Sequence, residues 1–132
     1  MATDASLRDY LMLLRGDLRN LIARFSPEEI DVFDDVFDNI IRKSDVIREQ
    51  GENIIGKEST LGFFGSGALT LILAIAVSEA IRLFVEKALT ISVEKIRELL
   101  RRTIRKTSLD LTKEEINELA EELARVLTKL RT

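Results

Sequence analysis

Histidine and cysteine are both missing from this chain of 132 residues. Without imidazole there is no ordinary general base at neutral pH and no histidine metal ligand. Without cysteine there is no thiolate nucleophile, no zinc knuckle and no disulfide framework of the kind that supports small secreted domains. Tryptophan is absent too, and one tyrosine, one proline and six glycines complete the list of scarce residues. Few aromatics and a single proline argue for helix over sheet. The net charge is only −3, so the chain as a whole has no electrostatic pull toward nucleic acid. Carboxylates, lysines, one phenol and hydroxyls are the only chemistry left, and no enzyme, cofactor, resident metal or small-molecule substrate is expected from them.

Apolar residues make up 45% and charged residues 33% of the chain, a balance typical of a folded domain. The length suits one domain covering 1–132. The amino-terminal stretch interleaves its apolar residues with Asp4, Asp9 and Arg8, so it does not read as a signal peptide. A cytoplasmic protein, recruited on occasion to a membrane, is the expectation.

One stretch stands apart. Ser59 to Ser78 carries no charge, and Glu58 and Glu79 bound it. Its first third is rich in glycine and phenylalanine; the remainder is leucine, isoleucine, alanine and valine. Twenty residues of helix would span about 30 Å, the thickness of a bilayer's hydrocarbon core. The stretch is either the buried centre of a bundle or a segment that enters a membrane. Three glycines and the amphipathic continuation after Glu79 favour the buried centre at rest.

Around it the sequence reads as amphipathic helices. Leu7, Tyr10, Leu11, Leu14, Leu18, Leu21, Ile22 and Phe25 recur at helical spacing in a helix from about Ser6 to Phe25. Ser26, Pro27 and Glu29 have the form of a capping box that opens a second helix, which Gly51 stops. Residues 51–65 hold four glycines and read as a flexible connection. A third helix is expected from about Ser66 to Thr90, with Ser66, Thr70, Ala74 and Ser78 at i+4 steps forming a small-residue stripe for close helix packing. Ser92 caps a fourth helix over Val93 to Lys106, with Val93, Ile96, Leu99, Leu100 and Ile104 inward. Thr112 and Glu115 form the box that opens the fifth. The expected fold is an all-α bundle of four to five helices around a central hydrophobic helix.

Charge is unevenly placed. Residues 1–58 carry net −5, residues 79–107 net +4 and residues 108–132 net −2. Arg97, Arg101 and Arg105 form an i, i+4, i+8 row on the fourth helix, with Arg102 and Lys106 beside them. This row suits anionic lipid headgroups or an acidic partner such as the face bearing Asp31, Asp34, Asp35 and Asp38. Nucleic acid is the weakest partner, because no aromatics interleave the cations. The four aspartates suggest a solvated face before a divalent-cation site. Gly62, Gly65 and Gly67 lack the strand and lysine of a phosphate loop.

The layout is similar to that of helical-bundle pore formers as a class, in architecture alone. The expected function is therefore membrane-active or membrane-targeted, a pore-forming effector being the sharpest form. Leu61, Phe63, Phe64, Leu69, Leu71, Ile72, Leu73 and Ile75 are the candidate inserting residues. Anionic membrane lipid or a helical protein is the expected partner, with self-association. The alternatives are a soluble helical adaptor and a single-span membrane protein with cytoplasmic helices.

Overall fold

The computed structural model describes residues 6–55, 67–87, 89–107 and 109–131. Among these the protein is all-α, with six α-helices and no strand. They are α1 (Leu7–Phe25), α2 (Phe33–Arg42), α3 (Ser44–Gln50), α4 (Ala68–Ile81), α5 (Val93–Arg105) and α6 (Lys113–Leu127). Short 3₁₀ turns occupy Pro27–Val32, Gly51–Ile54 and Thr128–Arg131.

Local capping explains three of the helix starts. Ser6 accepts from the Asp9 amide, and the Asp9 carboxylate accepts in return from the Ser6 amide at 3.0 Å. Thr112 and Glu115 form the same reciprocal box on α6. Ser92 accepts from the Lys95 amide at 3.1 Å. Each satisfies backbone donors that a helix leaves orphaned at its first turn.

The second helical region departs from expectation in two places. Pro27–Val32 is 3₁₀, and the α-helix begins only at Phe33. The Glu29 amide bonds the Ser26 carbonyl at 2.9 Å, and no side chain caps this turn. The region then breaks at Lys43, whose amide reaches back to α2, and restarts as α3. Gly51, at φ +56°, ends it, a left-handed conformation that glycine adopts without strain.

The expected third helix also shortens. The α-helical part is Ala68–Ile81, and Arg82–Glu86 winds as a π-helix before the chain turns irregular at 89–92. Along α4 every residue from Leu69 to Ile81 except Glu79 is buried. A helix apolar on all sides has no solvent face to offer and must lie at the centre. It touches α1, α2, α3 and α5, while α6 packs on α5 and α1. The stripes of α1 (Leu7 through Phe25), α2 (Phe33, Phe37, Ile40), α5 (Ile96, Leu99, Leu100, Ile104) and α6 (Ile116, Leu119, Leu123, Leu127) join α4 in one buried cluster. Val93, expected inward, is 37% exposed: it is the first residue of α5, ahead of the turn that meets the core.

Candidate functional site

The amphipathic pattern of α5 puts its isoleucines and leucines on α4 and leaves the cations outside. Arg101, Arg102, Arg105 and Lys106 are exposed and Arg97 is half-buried. The five do not act alike. Arg102 grips Glu52 through two nitrogens, with Nε at 2.9 Å from both carboxylate oxygens and a terminal nitrogen at 2.7 Å. Lys106 adds a contact to the same carboxylate at 3.1 Å. The Arg102 hydrogen bonds first, and Lys106 after them, hold the Glu52 carboxyl below its ordinary range, against the opposing effect of burial. Glu52 in turn raises the Arg102 guanidinium.

The acidic face of α2 is not the partner of these cations. Asp34 and Asp38 pair with Arg15 of α1 at 2.8 and 3.3 Å, and Arg15 also stacks over Phe37, 4.9 Å from the ring centre. Arg97, Arg101 and Arg105 make no ion pair among the described residues. The aspartates of α2 make no metal-binding group, nor does any other acidic cluster among those residues.

A cleft of about 560 Å³ opens between α3, the C-terminal end of α4 and α5. Ile75, Ile91 and Leu99 contribute its apolar lining. Its charged residues are Arg48, Arg82, Lys95 and Arg102 against Glu49, Glu52, Glu79 and Glu98, so it favours neither anion nor cation. Arg102 with Glu52 and Arg82 with Glu79 are paired across neighbouring positions of this rim.

The candidate inserting residues divide by location. Leu61, Phe63 and Phe64 lie outside the described residues, as does Ser66 of the small-residue stripe. Leu69, Leu71, Ile72, Leu73 and Ile75 are each at most 2% exposed. Thr70, Ala74 and Ser78 are buried along α4. Ser78 lines the cleft, and the Thr70 hydroxyl donates to Glu29. No helix among the described residues is long and apolar enough to cross a membrane. The 14 residues of α4 measure about 21 Å, against about 30 Å of hydrocarbon.

Glu29 is the residue that sequence reasoning placed wrongly. Its side chain is not the second half of a box on its own turn. It is 6% exposed and reaches the start of α4, forty positions on. One oxygen accepts from the Leu69 amide at 3.0 Å and from the Ser26 hydroxyl at 2.8 Å. The other accepts from the Thr70 amide at 3.2 Å and the Thr70 hydroxyl at 3.1 Å. The residue before α4 is Gly67, which has no side chain to cap with, and no acidic residue stands in the first turn. The orphan amides of the most apolar helix are thus satisfied by a buried carboxylate from another segment, which their dipole favours. Gly67 itself is at φ +84°, and a Cβ there would stand 2.7 Å from both methyls of Val36. The sequence signal for this arrangement was the glycine immediately ahead of an uncapped apolar run. No protein family, curated protein or solved structure matches the chain.

Proposed function

We propose that this protein is a membrane-active helical bundle that shields α4 at rest and delivers it to an anionic bilayer. The observation that carries this reading is α4 itself, apolar around its whole circumference except at Glu79 near its C-terminal end, and covered by helices with polar outer faces. Ordinary cores are built from half-apolar helices; a helix without any polar face suits two environments, a protein interior and lipid. The cations of α5 supply the approach. Arg97, Arg101 and Arg105 make no ion pair among the described residues that they would have to give up, and each cation near an anionic surface contributes about 1 kcal/mol. Because α4 alone is too short to span, insertion draws on the uncharged residues that precede it in sequence, Leu61, Phe63 and Phe64 among them. On this reading the chain is not an enzyme and uses no cofactor.

The test is flotation with vesicles of phosphatidylglycerol and phosphatidylcholine, paired with dye release from the same vesicles. Replacing Arg97, Arg101 and Arg105 with Gln should weaken flotation without lowering the melting temperature, and added salt should weaken it in wild type. Replacing Phe63 and Phe64 with Ser should keep flotation and suppress release. Wild-type protein that neither floats nor releases dye overturns the proposal.

A helical adaptor is the second reading, and one surface feature favours it. Met12 and Leu13 are 53% and 61% exposed at adjacent positions of α1. Replacing both with Ser should abolish self-association in sedimentation if they form a docking spot, and should leave vesicle binding unchanged.

A further inference from the structure

The caps of α1, α5 and α6 belong to the residues just ahead of each helix, so they travel with the helix wherever it goes. The cap of α4 does not. It comes from Glu29, in the 3₁₀ turn between α1 and α2, and it is lost the moment α4 separates from that turn. A bond of this kind stabilises a position as well as a helix.

From this we infer that Glu29 is a latch that holds the N-terminal end of α4 in the bundle, and that breaking it is the step that releases the hydrophobic helix. The inference deepens the membrane reading above and rests on it. Four hydrogen bonds meet at the one carboxylate, two of them from amides that have no other acceptor inside α4. Thr70 contributes both its amide and its hydroxyl, so the first turn is gripped on two sides of the same residue. Val36 of α2 closes on Gly67 so tightly that any side chain there would collide. Both contacts lie at the same end of α4, next to the part of the chain that leads into the apolar run. At the other end Glu79 pairs with Arg82, three residues away on the same segment, a bond that moves with the helix and resists nothing. Opening from the N-terminal end therefore breaks specific polar contacts, whereas among the described residues no hydrogen bond or ion pair ties the rest of α4 to another helix; apart from the longer-range attraction of Glu79 for Arg102, its contacts are the apolar packing that lipid replaces without loss.

Glu29→Gln is the informative change. It keeps size and shape but leaves a single acceptor oxygen where two are used. One of the amides of Leu69 and Thr70 then faces an NH₂ donor instead of an acceptor.

The experiment is hydrogen exchange on the free protein, with dye release from phosphatidylglycerol vesicles measured in parallel. The expected result for Glu29→Gln is exchange at Leu69, Thr70 and the following turn faster by about tenfold or more, with amides of α6 unchanged. The neighbouring exposed Glu28→Gln should have no effect. Equal acceleration throughout the molecule, or none at Leu69 and Thr70, overturns the latch. Should Glu29→Gln fail to fold, Thr70→Val removes only the hydroxyl bond and should give the same local pattern at smaller size. In the release arm the control is Leu119→Ala, a core change in α6 away from the latch. Faster release by Glu29→Gln than by a Leu119→Ala protein of matched overall stability supports the latch; equal release reduces Glu29 to a stabilising residue and overturns it. If no protein releases dye while exchange is locally accelerated, the membrane reading fails and the restraint on α4 stands. If wild type releases dye and exchange is unaltered, the latch fails and the membrane reading stands.

Discussion

At the scale of single residues, the start of α4 concentrates the constraints. Gly67 combines a left-handed backbone with a neighbour that leaves no room for a methyl group. Gly67→Ala should cost about 1–2 kcal/mol for the backbone conformation alone, and more for the collision with Val36. Adding Val36→Ala, which removes the two colliding methyls and leaves the Val36 Cβ at 3.1 Å, should recover most of the collision part and none of the backbone part. Urea titrations of the two single variants and the double variant measure this directly, with an expected coupling of about 0.5–3 kcal/mol. Strict additivity would mean that Val36 moves aside freely. Glu29 reads in sequence as half of a local capping box and Gly67 as one of three closely spaced glycines; their roles come from what the fold places against them.

At the scale of elements, two predictions separate local from tertiary effects. Gly16 lies inside α1 on an exposed face, and a Cβ there would meet nothing. Gly16→Ala should therefore stabilise the protein by about 0.5–1 kcal/mol through helix propensity, seen as a higher melting temperature. A loss of stability would show that the outer face of α1 has a partner. The second concerns the tie between the Gly51–Ile54 turn and α5. Glu52 has its carboxyl pKa lowered by Arg102 and Lys106, so its contribution is fully present above the ordinary glutamate value and fades as pH falls through the lowered one. With Arg102 55% exposed and Glu52 25% exposed, that contribution is about 0.5–1 kcal/mol. The gap in stability between wild type and Glu52→Gln should hold from neutral pH down to the ordinary glutamate range and close as the pH falls below it. A gap that widens in acid would reverse the sign and contradict the pairing.

At the scale of the whole molecule, α4 is where the bundle meets itself. Leu71, Ile72 and Ile75 are each at most 2% exposed and belong to the same buried cluster as all the other helices. Truncating any one of them to Ala should cost about 2–5 kcal/mol and lower the urea midpoint while the m-value stays constant. A change below about half a kcal/mol at all three would be incompatible with a central α4. Ion pairs tie the outer layer together at a distance from this core: Arg24 of α1 meets Glu118 and Glu122 of α6, and Lys129 meets Asp17 at 2.6 Å. Exposed pairs of this kind contribute little to stability beside the apolar core.

Much of this architecture was legible without coordinates, and for a definite reason. Ser6, Ser92 and Thr112 cap helices through partners three residues away, and the apolar stripes of α1, α5 and α6 repeat with the helical period. Both are short-range properties of the chain, so α1, α5 and α6 with their starts, and the centrality of the apolar run, follow from the residues themselves, whereas the 3₁₀ turn at Pro27–Val32 and the break at Lys43 do not. What required the tertiary structure is every feature whose partner is distant in sequence. The spacing of Ser26 and Glu29 predicts a local box, yet the Glu29 carboxylate is drawn to Leu69 and Thr70, because unsatisfied amides at a buried helix start are costlier than those of a turn near solvent. The row of cations on α5 divides into Arg102 and Lys106, engaged by Glu52, and Arg97, Arg101 and Arg105, which are not, because only two of the five point along the Gly51–Ile54 turn. Short-range signals in the residues set the extents of α1, α5 and α6 and marked the apolar run as the segment to be hidden. Packing decided what holds the hidden one, since a hydrogen bond between positions forty apart depends on where the chain brings them and leaves no period or motif to read.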